Sequence, residues 1–539
     1  MKNIFKIGSI LLLSAFIWTS CSQDLDPHGT AKFEVKTVKD AEGFKNGLYA
    51  QLRSVAYGGA ALMSDIQADE FNATARFGNS LGSFHTWNGL QSNDSDLTSV
   101  WTSYYNVIKN ANLLLSESAK LNLNELTTTE KELKDQSKLL TQYRGAAFAT
   151  RAYCYFNLAL RFCEFYDVND AASGEKYGLP IHKVFNPKAH PSRSTLKETY
   201  DFIKQDLDSA ALYLDGISGQ AGSPEFTIDA IKAIQAQVAF YTSDYTKAIE
   251  KAEALVNAGT YKLYDSTVDQ NALSYYWRYD EIQEDIVQLF VSNPNELSST
   301  FGFYNGSAAT ALGKVYFTPN YLPTKATKDL FNCKLSESAI NDSLDCRYRI
   351  YFQKQYVLTA DGAGIEDDEV SIFTKFLGNP LLSDGLTNYQ QAPKLLRIAE
   401  MYLILAESAF HIGEEGTALK YFNALRYSRG YIRSTSLAGT ALLEAIKLER
   451  QRELMGEGKR LLDLRRWKQD VVRGETQNTK YLSGVGENDF TNLKVIYGSI
   501  EPGGKDYRQM VWGIPYNEML LNKGVAGQQN PGWGDASSK

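Results

Sequence analysis

Gly78-Asn79-Ser80-Leu81-Gly82 spells the G-x-S-x-G of a nucleophile elbow, the turn that presents a serine hydroxyl to a histidine base. A working elbow needs a buried strand before it. Here Ala75-Arg76-Phe77 leads in and Ser83-Phe84-His85 follows, inside a helical pattern, so the match is one of letters. Gly456-Glu457-Gly458-Lys459 carries the lysine of a phosphate loop, but Glu453 stands at the upstream glycine position and Arg460 where Ser or Thr would hold magnesium. Asp167-Val168-Asn169-Asp170 opens like a calcium loop and stops, because Ala171 and Ala172 replace the third ligand and the invariant glycine. The dense acidic run Glu366-Asp367-Asp368-Glu369 reads as a solvated loop; no ligand spacing supports calcium there, and no cofactor is expected. His28, His85, His182, His190 and His411 show no paired spacing for a metal. Carboxylate pairs for glycoside hydrolysis come together only in the fold, and spacing does not exclude them. Nothing in these patterns favours an enzyme.

What remains is recognition. The chain holds 33 Tyr and 26 Phe against 6 Met, more aromatic surface than a minimal helical core requires. The rings concentrate in two irregular stretches. One precedes a helix and contains Phe71, Arg76, Phe77, Phe84, His85, Trp87 and Asn88. The other, 266–328, mixes Tyr275, Tyr276, Trp277, Phe303, Tyr304, Tyr316 and Phe317 with Asn, Gly, Ser and Pro, and no helical face can be drawn through most of it. Loops of this composition run over the surface, where rings need a ligand or a partner to explain them; packing against the body is the competing explanation. A net charge of −7 leaves no basic field for phosphate backbones, so no nucleic-acid partner is expected.

The elements that must position these groups are mostly helices. After the capping oxygens of Asn93 to Asp96, an apolar stripe steps through Leu97, Trp101, Tyr104, Ile108, Ala111 and Leu115. Phe148, Ala152, Tyr155, Ala159 and Phe162 repeat the arithmetic. Ala236, Ala239, Phe240 and Ala248 match Ala406, Ala409, Phe410 and Ala418 in spacing, each set forming a tetratricopeptide-type hairpin whose turn is Ser243-Asp244 or Gly413-Glu414. A second excursion, 470–511, is expected to hold short strands. Glu449 with Arg452, and Arg450 with Glu453, are spaced to pair along one helix, which reads as a structural ion network. Cys154 and Cys163 lie about 13 Å apart along one helix and cannot bridge. Cys333 and Cys346 flank a loop, and their spacing leaves a disulfide open.

The start of the chain supplies an address. Lys2 and Lys6, the apolar run from Ile10 to Trp18, then Thr19, Ser20 and Cys21 form an export signal in which Cys21 takes the lipidated position, although Trp18 stands where such signals usually have Leu. The organisation expected is a signal peptide at 1–20, a tether at 21–34, and one domain at 35–539. That domain divides into 35–265, the aromatic insertion at 266–328, and 329–539.

Five ordered stretches carry a family resemblance: Cys21 with Asp24 and Asp26; Trp101 to Asn112; Tyr143 to Tyr166; Pro393 to Phe410 with Arg397, Glu400 and Glu407; and Leu448 to Trp467 with Glu449, Arg452, Glu453, Gly456, Gly458, Asp463 and Arg466. Trp512-Gly513-Ile514-Pro515 and Gln529-Asn530-Pro531-Gly532-Trp533 close the chain in the same manner. Together they resemble the SusD/RagB family of nutrient-binding outer-membrane lipoproteins. The resemblance implies a mostly α, SusD-like fold with four tetratricopeptide-like hairpins, long irregular loops and a few short strands. It also implies a paired SusC-like TonB-dependent transporter, over which the lipoprotein closes as a hinged lid on a captured glycan, without making or breaking a bond. Asp24 and Asp26 resemble surface-export signals, so the anchor is expected to face outward. By position, the ligand candidates are Arg76, Phe77, Phe84, His85, Trp87 and Asn88 with Trp277, Arg278, Tyr279, Phe303 and Tyr304. The alternatives are oligopeptide capture, as in RagB-like members, and a tetratricopeptide scaffold without a small ligand.

Overall fold

The computed structural model describes residues 34–534 apart from 57, 75–79, 292–301, 312, 332–344, 359–364, 383–386, 433, 478–492 and 501–504. Cys21 and its tether up to residue 33, and Arg76, Phe77 and Cys333, lie outside the described residues.

Helices begin where the sequence caps them. Helices α1 (Val38–Ala56) and α2 (Gly59–Gln67) lead into β1 (Phe71–Ala73) and the short α3 (Gly82–Thr86). Helix α4 (Ser95–Ser118) starts where the Asp94 carboxylate accepts the N–H groups of Asp96 and Leu97. Of its expected stripe, Leu97 to Ala111 is buried and Leu115 is only half-buried. Helix α5 (Glu130–Phe162) has Glu130 and Glu132 in its first turn and Arg161 in its last, which suits the helix dipole. Its second half is buried nearly all round, because α4 packs on one side and α6 (Leu196–Tyr213) on another. Strands β2 (Tyr177–Pro180) and β3 (Arg193–Thr195) pair between them.

After α7 (Ile228–Phe240) and α8 (Tyr245–Ala258) the chain leaves the helical body through α9 (Ala272–Arg278), β4 (Asp285–Gln288), β5 (Ala308–Ala311), β6 (Lys314–Phe317) and β7 (Tyr321–Pro323). It continues with α10 (Cys346–Tyr351), β8 (Phe352–Leu358) and β9 (Ile365–Phe373), and returns by β10 (Lys394–Arg397). Helices α11 (Ile398–His411), α12 (Glu415–Ser428), α13 (Gly439–Leu454) and α14 (Arg460–Arg466) follow, then the expected short strands, β11 (Val471–Val472) paired with β12 (Lys494–Val495).

The two matched hairpins form as the spacing requires. In each, the residue after the turn donates its N–H back to the first helix: Asp244 to Ala239 O at 2.9 Å, Glu414 to Ala409 O at 2.8 Å. Ser243 and Gly413 both take positive φ, a conformation that costs glycine nothing. Helix α8 packs on α11, so the two hairpins, offset by 170 residues in sequence, lie side by side.

Strands β5, β6, β8 and β9 form one sheet in that order, with β6 and β8 parallel. The acidic run Glu366 to Glu369 belongs to β9 and not to the expected loop. Its neighbours Val370 and Ile372 enter a small core with Phe317, Leu322 and Val357, and the ladder with β8 carries the acidic residues along. Two pairings fasten the excursion to the body: β1 with β7, Phe71 opposite Pro323, and β4 with β10.

The helical body holds the main core. A second, aromatic core forms where the excursion meets it, from Phe71, Tyr276, Trp277, Tyr304, Tyr321, Tyr351, Phe373 and Phe376 among others. The C-terminal segment clasps the body: the Trp512 indole donates to Gln67 Oε1 at 2.8 Å, and Asn530 Nδ2 donates to Phe162 O and to Trp512 O. A Cβ on Gly513 would lie 2.5 Å from the Trp533 ring, so only glycine fits there. Cys154 and Cys163 are buried free thiols, and the buried Cys346 sulfur accepts the Ser266 hydroxyl.

Candidate ligand-binding site

The charged signature forms an ion network, as its spacing suggests, but one of its expected pairs does not form. Arg452 bonds Glu449 at 3.0 Å as expected. Arg450 turns instead to Asp463 at 2.7 Å and to the Tyr241 hydroxyl, and Glu453 gathers Arg347, Arg397 and Arg429 from three other elements at 2.9 to 3.0 Å. Arg429 also forks onto Glu284. All of these groups except the half-buried Arg452 are buried, where an ion persists only with close counter-ions. Burial raises the Glu453 carboxyl, but Arg429 and Arg397 more than offset this and hold it well below the ordinary range. Gly456 and Gly458 make the α13–α14 turn, and Gly458 N–H donates to Asp65 in place of any phosphate.

The network continues into the aromatic core. The Lys375 ammonium bonds Glu457 at 2.7 Å and lies 4.5 Å from the centre of the Trp277 ring. Burial lowers its pKa to about 8 against the pull of Glu457. Arg397 stacks on the same indole at 5.2 Å.

This arrangement decides where the candidate rings go. Trp277 and Tyr304 are buried, the latter with its hydroxyl toward Asp65, and so are Phe84, His85 and Trp87. The Trp87 indole donates to Gln67 O at 2.9 Å, Phe84 meets Trp512 edge-on, and His85 Nε2 accepts the Ala73 N–H. The expectation that these five residues lie on the surface is therefore corrected: α3 and the β1–β7 pairing turn Phe84, His85, Trp87 and Tyr304 inward, and Lys375 and Arg397 cover Trp277. The two irregular stretches do come together, since Phe71 packs on Tyr304 at 4.6 Å and the Tyr321 hydroxyl donates to Ser80 O. Asn88 and Tyr279 are exposed, while Arg278 and Phe303 are half-buried.

Two clefts open from this aromatic core. The first holds about 420 Å³ and is lined by Ser54, Leu62, Leu81, Asp96, Ser99, Ser103 and Phe303 among others; Phe303 stacks on Tyr321 at 5.4 Å. The second holds about 380 Å³ between α9 and the sheet. Trp277 forms part of its wall, and Ser274, Arg278, Gln353, Gln355, Thr374 and Thr387 supply polar groups. On the adjoining face of α9, Tyr275 and Tyr279 stand 42% and 43% exposed with ring centres 5.9 Å apart. Arg278 is steadied by donating to Gly378 O at 2.6 Å. Residue-by-residue reading missed Tyr275, although the i, i+4 spacing of Tyr275 and Tyr279 was a usable signal. Gln353 and Gln355 carried none, because only the sheet brings them here. Among the described residues no group of three or more His, Cys, Asp or Glu side chains is placed to hold a metal, and no helix is long and apolar enough to cross a membrane.

Two family models match the chain: residues 278–533 match the SusD family, and residues 34–241 match a family described as starch-binding and associating with the outer membrane. A SusD-like protein, P38, of Formosa agariphila is 22% identical over 88% of this chain and 95% of its own length. Among solved structures, a putative sugar-binding protein of Bacteroides vulgatus superposes with a TM-score of 0.70 at 22% identity, covering 93% of this chain and all of that one. A SusD superfamily protein of Bacteroides thetaiotaomicron gives 0.71 at 21% identity, covering 92% and 100%. The fold is therefore the mostly α SusD-like fold. At the family level the reading is carbohydrate binding in association with the outer membrane. With 278–533 matched by the SusD family model, 34–241 by a SusD-like one, and a SusD-like relative aligned over nearly the whole chain, the chain belongs to the SusD/RagB family.

Proposed function

We propose that this chain captures an oligo- or polysaccharide at the cell surface, anchored by lipid on Cys21, and delivers it to a SusC-like TonB-dependent transporter. The observation that carries the ligand reading is the exposed pair Tyr275 and Tyr279 beside the cleft of Arg278, Gln353 and Gln355. Ring faces stack on the C–H surface of a sugar, while amides and a guanidinium bond its hydroxyls. Among its described lining residues the cleft has no carboxylate and no histidine, and its polar groups are amides, hydroxyls and cations that suit hydroxyl recognition. The Phe303 cleft, flanked by the Ser80–Leu81 segment, is the adjoining surface on which a longer ligand would extend.

The test is calorimetry of the chain lacking residues 1 to 21 against plant, host and microbial glycans and a peptide mixture, alongside Tyr275→Ala/Tyr279→Ala. A glycan response lost in the double variant is the expected result. A peptide response indifferent to it would replace this reading with oligopeptide capture. Silence toward both would leave the scaffold reading, to be tested by complex formation with the transporter.

A further inference from the structure

A third cleft opens on the far side of α4. Successive residues of a helix are turned by about 100°. Ser99, Val100 and Ser103, which face the Phe303 cleft, therefore lie opposite Tyr105, Lys109 and Asn112, which face this one. It holds about 300 Å³, within the range of small-ligand pockets, ~300 to 1,000 Å³, and it shares no lining residue with the other two.

Its wall is aromatic. Trp101 packs on Tyr105 with ring centres 4.7 Å apart, and His182 meets Tyr105 edge-on at 6.0 Å. At the mouth Phe185 is 42% exposed and Val184 61% exposed. Its polar groups are fixed in place and incompletely used. His182 is pinned by its backbone, which donates to the Tyr155 hydroxyl and accepts from Asn112, both at 2.8 Å. Neither of its ring nitrogens meets another described residue. Burial holds its pKa below the ordinary value, so the neutral ring presents one donor and one acceptor. Asn106 spends its carbonyl oxygen on Lys109, and Asn186 spends its own on the Lys188 N–H, which leaves both amide NH₂ groups available.

We propose that this cleft is a second saccharide site, taking one neutral sugar ring between Phe185 and the Tyr105–His182 wall. An apolar side chain would cover the rings but leave the half-buried His182 nitrogens without partners, whereas a ring of hydroxyls satisfies them and comes within reach of the exposed amides of Asn106 and Asn186. The lining carries one cation, Lys109, and one carboxylate, Glu518, so no net charge selects an acidic sugar. The proposal rests on the reading of this chain as a saccharide binder. It adds that a long glycan is held at two points, which raises avidity without tightening either contact.

The five histidines make the test specific. The full chain in detergent, labelled at histidine Cε1, is titrated with maltohexaose, cellohexaose, xylohexaose and mannohexaose, with the His182 signal assigned from His182→Gln. At least one probe should move that signal saturably. The response should persist in Tyr279→Ala/Phe303→Ala and weaken at least tenfold in Phe185→Ala and in Asn186→Ala, with the buried His85 signal unchanged as the control for folding. A His182 signal unmoved by all four probes overturns the second site, and calorimetric binding under the same conditions would leave the first reading standing. A His182 response lost in the Tyr279→Ala/Phe303→Ala variant also overturns it, since the shift would then belong to the first site.

Discussion

The ion network around Glu453 and the aromatic core around Trp277 touch at Lys375, yet they are built on opposite terms. In the network every charge is buried and answered by a counter-charge from another element, so moving one group leaves several unpaired. In the core the rings pack mainly by filling space, with single hydroxyl bonds such as Tyr304 to Asp65 and Tyr321 to Ser80, and its margin, which includes Tyr275, Tyr279 and Phe303, reaches solvent. The network joins β10, α10 and α13, and the core packs within that frame with its edge at the proposed binding surface. In the proposed function, rigid charge pairing behind a softer aromatic wall keeps the recognition surface in place.

The sharpest way to break this contrast is Glu453→Gln, which leaves Arg347, Arg397 and Arg429 in surplus. Urea unfolding should show a loss of about 3–5 kcal/mol, and a loss under ~1 kcal/mol would mean that the arginines do not depend on it. Trp87→Phe comes next: it removes the bond to Gln67 and should lower stability by about 1–3 kcal/mol while leaving glycan affinity unchanged. A fall in affinity without loss of stability would return Trp87 to the ligand surface.

The two regions should also answer pH with opposite signs. Burial raises Asp285, under the Tyr276 hydroxyl, to about 7 from an ordinary 3.8, so the folded state holds its proton more tightly than the unfolded one. That contribution is complete below pH 3.8 and is lost as pH rises through 7, at about 1.4 kcal/mol per pH unit in between. Asp285→Asn should remove this slope. Glu453 is lowered, so its contribution is present above pH 4.5 and is lost as pH falls below it. A stability profile unchanged in Asp285→Asn would show that the carboxyl titrates normally. The smallest effect is Tyr279→Ala: about tenfold weaker glycan binding, about 1.4 kcal/mol, with unfolding stability within about 0.5 kcal/mol.

Period and pairing were legible in the sequence, and exposure was not. The stripe on α4 and the paired hairpin alanines follow from a 3.6-residue repeat, which states directly which face is buried. Trp87 and Trp277 lie in stretches without a period, where nothing local says whether a ring points out or in. That was settled by partners outside those stretches, Gln67 on α2 for one and Lys375 beyond β9 for the other. Arg450 and Glu453 have a helical pair's spacing, but Asp463 and three arginines from other elements outcompeted that pairing. Tyr279 lay at the surface because α9 turns one face to solvent, a boundary that its few residues could not announce.

The C-terminal clasp bears on the order in which the molecule can be made. Gln67 and Phe162 emerge from the ribosome hundreds of residues before Trp512 and Asn530, the groups that answer them. A nascent chain therefore holds the Gln67 amide oxygen and the Phe162 carbonyl without these partners until residues 512 to 530 have been made, so the clasp is a late addition to helices formed well before it.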